Sequence, residues 1–141
     1  KKIRVLFLSE FLAMDSSVLR DRMGIMVKLP KDKFEVYYAS YKESDKIVGN
    51  VSKYVNELMQ DKYICLTENF QENRNLISRH NFDIIVYCEL GMAMKPYWLS
   101  YSRLAPVQIT TWGHSETSGI STIDYYVSSK NFEHDKAQNH Y

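Results

Sequence analysis

Short apolar runs recur along this chain, each followed by a segment whose apolar residues return at helical spacing, and this alternation restricts the fold more than any other feature. Ile3 to Leu8 (IRVLFL) is a continuous β-branched and apolar run closed by Ser9-Glu10, the pattern of a strand buried on both faces. Asp15, Ser16 and Ser17 then offer helix-capping side chains ahead of Val18, Leu19, Met23, Met26 and Val27, and Pro30 ends the segment. Phe34 to Ala39 reads as a second strand. Val51, Tyr54, Val55, Leu58 and Met59 follow at i, i+3, i+4, i+7 and i+8, an amphipathic helix. Tyr63 to Leu66 is a short third strand, and Thr67 can cap a helix carrying Phe70, Leu76 and Ile77. Asp83 to Cys88 is a fourth strand, and a helix with Pro96 in its first turn carries Tyr97, Trp98 and Leu99. Val107 to Thr111 makes a fifth strand and Tyr125 to Val127 a sixth. The polar stretch from Lys42 to Asn50 reads as a surface connection with a helical turn.

Strands that alternate with helices are joined by right-handed crossovers and lie parallel, so both faces of the sheet must be covered. The expectation is one α/β domain over residues 1–141, Rossmann-like, with a mostly parallel sheet of five to six strands and helices on both faces. In open sheets of this kind ligands bind beyond the carboxyl ends of the strands. The segments that begin at Ser9, Tyr41, Glu89 and Trp112 are therefore where function is expected.

Charge and composition remove several function classes. Eighteen Lys and Arg nearly cancel 17 Asp and Glu, so no global field steers the chain toward nucleic acid or an anionic membrane. No apolar run approaches the roughly 20 residues that span a bilayer, and a cytoplasmic location without a secretion signal is expected. Cys65 and Cys88 fall in apolar strands with no Cys or His at ligand spacing, which points to buried, reduced thiols and no metal. The 11 tyrosines lie mostly in periodic segments and read as core.

The loop after the first strand, Ser9 to Ser17, has none of the glycines that admit a dinucleotide pyrophosphate, and no phosphate-binding GxxxxGK[ST] loop occurs. A nicotinamide, flavin or other bound cofactor is not expected. Glu10 and Asp15 sit where a carboxylate orients an acceptor hydroxyl or serves as a general base, while Asp15 also reads as a helix cap. The richest segment is Gly113 to Gly119, with one imidazole, three hydroxyls and one carboxylate between two glycines. His114 can move a proton near neutral pH, and Gly113, Thr117, Ser118 and Gly119 can hold a sugar or phosphate. A polar surface turn has the same composition, and composition alone leaves the two readings even. His80, His134 and His140 lie in polar stretches and read as solvated surface residues.

Leu104-Ala105-Pro106-Val107-Gln108, then Thr110 to Gly119 (TTWGHSETSG), then Ile123-Asp124-Tyr125-Tyr126, resembles the signature of the O-linked N-acetylglucosamine transferases and their SPINDLY-like bacterial relatives. Ile3 to Phe11, Asp83 to Val86 and the tail from Asn131 to Tyr141 are similar to the same family, so the resemblance spans nearly the whole chain. It implies the N-terminal, acceptor-side half of a GT-B glycosyltransferase. Such an enzyme inverts the anomeric centre of a UDP-sugar without an essential metal and transfers N-acetylglucosamine or a related hexose to a protein hydroxyl or a glycan. The donor would be held mostly by a separate C-terminal domain, and residues 1–141 alone would be inactive. The chain departs from the family pattern where a histidine is expected near Met14-Asp15 and where Ser115 replaces a proline. Two other readings compete: a non-catalytic sugar- or protein-binding module on the same fold, and a flavodoxin-like signalling domain, which leaves the Thr110 to Gly119 signature unexplained.

Overall fold

The computed structural model describes residues 1–41, 49–59, 62–114 and 116–140, with the side chain of residue 140 left aside. The connection read over Lys42 to Asn50 falls largely outside the described residues, as does Ser115.

Each apolar run forms a strand. These are β1 (Ile3–Leu8), β2 (Phe34–Tyr41), β3 (Tyr63–Leu66), β4 (Ile84–Tyr87), β5 (Val107–Thr111) and β6 (Tyr125–Val127). They form one sheet in the order β3-β2-β1-β4-β5-β6, and every neighbouring pair is parallel. Between them run α1 (Ser17–Lys28), α2 (Asn50–Met59), α3 (Phe70–His80) and α4 (Met94–Ser100). This is a Rossmann-like α/β fold.

The period-2 alternation of buried strands divides the interior into two layers. Leu6, Leu8, Tyr37, Ala39, Ile85 and Tyr87 face one way and pack with Ile77 of α3 and Leu99 of α4. Val5, Phe7, Tyr38, Val86 and Cys88 face the other way and pack with Leu19 and Met26 of α1 and Val55 and Met59 of α2. Both faces are thus covered, as the continuous apolar runs require.

Helix ends follow local chemistry. Ser16 caps α1 by accepting the Leu19 amide, and Leu29 turns extended ahead of Pro30 because a residue before proline avoids the helical region. In α3 the cap is Asn69, which accepts the amides of Gln71 and Glu72, while the expected Thr67 accepts the Asn69 amide one step earlier. The buried face of α2 is Ser52, Val55 and Met59, whereas Tyr54 and Leu58 of the apolar stripe are exposed.

Two expectations are corrected. Cys65 is exposed, because β3 is an edge strand and alternation sends Ile64 and Leu66, not Cys65, into the core. His80 is half-buried, stacked on Phe82 with ring centroids 5.4 Å apart and set edge-on to Tyr37. Burial, and secondarily the charge of Arg4, hold its pKa below the usual histidine value. Among the described residues no helix is long and apolar enough to cross a membrane.

Candidate functional site

The chain runs outward from β1 through β2 to β3, then returns to the other side of β1 as β4 and continues outward to β6. The strand order therefore reverses between β1 and β4. In folds of this class the loops that follow two such strands part at the reversal and leave a crevice where ligands bind. Ser9 and Glu10 leave β1 on one side, and Cys88, Glu89, Leu90 and Gly91 leave β4 on the other.

Glycine chemistry brings the β5 loop to the same place. The Gly113 amide donates to the Thr111 carbonyl at 2.8 Å, a tight turn. A Cβ on Gly113 would lie 2.2 Å from the Cys88 carbonyl oxygen and 2.9 Å from the Glu89 Cβ, so only glycine lets the loop rest on the end of β4. His114 follows. Its ring lies over Gly91, whose φ of +101° suits glycine and whose missing Cβ would sit 3.5 Å from the imidazole. The ring Nδ1 accepts the Glu116 amide at 3.3 Å, the Tyr126 hydroxyl donates to the His114 carbonyl, and Nε2 has no hydrogen bond to any described residue.

Beneath this loop is a carboxyl group that sequence reasoning did not single out. Glu89 is 0% exposed, and neither of its oxygens has a hydrogen bond of ordinary geometry. Burial raises its pKa from the usual glutamate value to about 7, and the Glu10 charge adds to the rise. The Ser9 hydroxyl, the Glu10 amide and Arg22 favour the charged form and oppose it. Ser9 Oγ accepts the Phe11 amide at 3.0 Å, which leaves the hydroxyl proton free to turn toward Glu89. The only signal in the sequence was position: Glu89 is the first charged residue after the apolar run of β4.

Glu10 itself is more open, its side chain 20% exposed, with Oε1 3.4 Å from Lys95 Nζ. Lys95 also bonds Glu68 at 2.7 Å and lies over the Tyr41 ring. Asp15 is engaged elsewhere. Its two carboxylate oxygens accept the amides of Asn50 and Ser52, so it caps α2 rather than its own helix. Those amides, the Ser52 one foremost, hold its pKa below the usual aspartate value.

A buried arginine supports the floor of the crevice. Arg22 of α1, 1% exposed, donates to Thr111 Oγ1 at 2.6 Å and to the Cys88 carbonyl, pairs with Asp21, and stacks on Trp112 with its guanidinium carbon 4.1 Å from the ring centroid. Trp112 Nε1 in turn donates to Asp21 at 2.8 Å. This network fixes the residue from which the Gly113 turn departs. An arginine in the middle of an amphipathic helix carries no distinguishing sequence signal, because the partners that justify its burial are 66 and 89 residues away.

The second half of the glycine-bounded loop goes to a different place. Thr117, Ser118 and Gly119 line a groove of about 610 Å³ with Ser121, Tyr125 and Gln138, over the β5–β6 end of the sheet. Of the residues singled out from the sequence, the structure thus brings Glu10, Gly113 and His114 to the β1–β4 crevice, places Thr117 to Gly119 in the neighbouring groove, and commits Asp15 to α2. Gln108 and Asp124 have structural partners: Gln108 accepts the Leu104 amide and donates to the Thr122 carbonyl, while Asp124 accepts the Gln108 amide and pairs with Arg103. Among the described residues, no three His, Cys, Asp or Glu side chains are grouped to hold a metal ion.

A parallel sheet in this order, covered by helices on both faces, defines a Rossmann-like α/β domain. No family model matches the chain, and no curated protein matches it. Among solved structures it is similar to a mutant O-GlcNAc transferase from Thermobaculum terrenum, with a TM-score of 0.78 and 21% identity over 89% of this chain and 24% of that one. The likeness is one of fold, and the chain spans about a quarter of the length of that protein.

Proposed function

We propose that this chain is the acceptor-side half of an inverting glycosyltransferase that uses a nucleotide-sugar, with UDP-N-acetylglucosamine or a related UDP-hexose as donor and a protein hydroxyl or a glycan as acceptor. The observation that carries the reading is the glycine-pinned His114 loop, seated on the end of β4 at the β1–β4 reversal and above the buried Glu89 carboxyl. The fold likeness to an O-GlcNAc transferase and the Thr110 to Gly119 signature support it.

In this reading the acceptor hydroxyl enters the crevice and gives its proton to the Glu10 carboxylate, while His114, whose Nδ1 accepts the Glu116 amide, presents its Nε2–H as a hydrogen-bond donor to the reacting groups. The freed oxygen forms a bond to the anomeric carbon as the bond from that carbon to the nucleotide diphosphate breaks, which inverts the centre. The proton ends on the base. Lys95 pairs with Glu10 at 3.4 Å and orients that carboxylate. The hydroxyl-lined groove at Thr117, Ser118 and Ser121 offers donors and acceptors for a sugar. A C-terminal domain would hold most of the donor, and the leaving diphosphate would be neutralised there.

The test is thermal stabilisation and turnover of the full-length protein across a panel of nucleotide-sugars, with His114→Ala beside the wild type. Stabilisation by one donor and a loss of turnover of roughly 10- to 10⁴-fold in His114→Ala, at nearly unchanged melting temperature, are expected. Turnover indifferent to His114→Ala removes the assignment. Sugar or peptide binding without any turnover would favour a non-catalytic module.

A further inference from the structure

We propose that Glu89 is a positioning residue that clamps the Ser9–Glu10 turn, so that the placement of the Glu10 carboxylate follows whether Glu89 carries a proton. The inference rests on the reading of Glu10 as a group that meets the acceptor.

The groups around Glu89 come from every element that meets at the crevice. From the end of β1 the Ser9 hydroxyl and the Glu10 amide face it, with the Glu10 carboxylate just beyond. From α1 comes the Arg22 guanidinium, itself held on the Cys88 carbonyl and Thr111. From β2 comes Tyr41, whose hydroxyl is made harder to ionise by burial and then by the charges of Glu10, Glu68 and Glu89. Cys88 precedes it, and the Gly113 backbone closes over its Cβ. His114 lies over Gly91, two residues along.

Of the groups around it, the Ser9 hydroxyl and the Glu10 amide bear on the carboxyl as hydrogen-bond donors, whereas Arg22 acts through its charge. The terminal nitrogens of Arg22 are engaged by Asp21, Thr111 and Cys88, its buried Nε–H has no hydrogen-bond partner among the described residues, and Gly113 presents its packing contact. Ser9 and the Glu10 amide are adjacent residues of a single turn. An ionised Glu89 accepts from both and draws that turn onto the end of β4. A protonated Glu89 loses part of that acceptor capacity and also its repulsion with the Glu10 carboxylate. The turn therefore has two settings. Ser40 Oγ donates to the Glu10 carbonyl at 2.9 Å and anchors the other side of the residue, so a shift at Ser9–Glu10 is passed to the Glu10 side chain and its Lys95 pair. The step exchanges one proton with solvent and needs no other reactant.

Burial places the exchange near pH 7, within reach of a pH titration followed by NMR on the full chain. The observables are the Glu89 carboxyl carbon and the Ser9, Glu10 and Phe11 amides. In the wild type the carboxyl carbon and all three amides are expected to share one midpoint near neutrality. Glu10→Gln should keep the shared response and lower its midpoint, and Glu89→Gln should abolish it. A Glu89 carboxyl that titrates while the three amides stay still overturns the proposal, as does a response that survives Glu89→Gln. If Glu89→Gln fails to fold, the wild-type and Glu10→Gln titrations decide alone. In turnover assays Glu89→Gln should remove the neutral midpoint from the pH profile of kcat/KM. If no nucleotide-sugar is turned over or bound, the glycosyltransferase reading fails, and the amide titration still decides whether Glu89 clamps the turn.

Discussion

At the scale of single residues, two glycines of one loop are present for different reasons, and the difference is measurable. Gly113 lies where a Cβ would meet the Cys88 carbonyl at 2.2 Å, so alanine there must push apart the ends of β4 and β5. Gly119 has a φ of +62° with nothing within 4 Å of the added carbon, so alanine there meets only the left-handed backbone penalty. Urea unfolding should give a loss of about 1 kcal/mol for Gly119→Ala. For Gly113→Ala the loss should be larger, about 2–3 kcal/mol, with a changed environment at Glu89. Equal losses would mean that the β5 loop does not bear on β4. From sequence the two glycines look alike, since neither packing nor φ is written in a GHSETSG string.

Between elements, the β1–α1 loop and the N-terminus of α2 depend on one another through Asp15. Its carboxylate accepts the Asn50 and Ser52 amides, and Gly49, at φ +107°, leaves no room for a Cβ, which would lie 2.3 Å from the Asp15 Cγ. Because the folded pKa of Asp15 is lowered, its contribution is complete above the ordinary aspartate range and is lost as pH falls through the lowered value. Asp15→Ala should lower the melting temperature by a few degrees at neutral pH and increase amide exchange at Asn50 to Ser52, and the melting difference should vanish in strong acid. Unchanged exchange at those amides would show that α2 does not need this cap. A capping role for Asp15 was legible, but the helix it caps was not, because that helix begins 35 residues later.

For the whole molecule, the buried Glu89 adds a pH dependence of stability that reaches up to neutrality. Its folded pKa, about 7, exceeds its unfolded value, so the folded state binds more protons between the two and stability falls as pH rises through that window. Glu89→Gln removes this titration. Melting curves from pH 4 to 9 should show the variant gaining on the wild type as pH rises, by an amount on the order of 3 kcal/mol above pH 8 and nearly nothing at pH 4. A constant difference across that range would mean that Glu89 stays ionised when folded.

Among the described residues, the local pattern of the sequence determined strands β1 to β6, helices α1 to α4 and the layering of apolar faces. Those depend on residues within one turn or one pleat of each other, and period-2 and period-3.6 spacing records them directly. It also placed Gly113 and His114 on a loop at a strand's carboxyl end, since that needs only the end of Val107–Thr111. Tertiary structure alone decided that Glu89 would be shut beneath that loop, that Arg22 would be buried against Thr111 and Cys88, and that Cys65 would lie open on an edge strand. The physical reason is common to all three. Burial and charge state are set by groups that arrive from other strands, and strand order, which decides which groups arrive, is a property of the assembled sheet rather than of any stretch of chain.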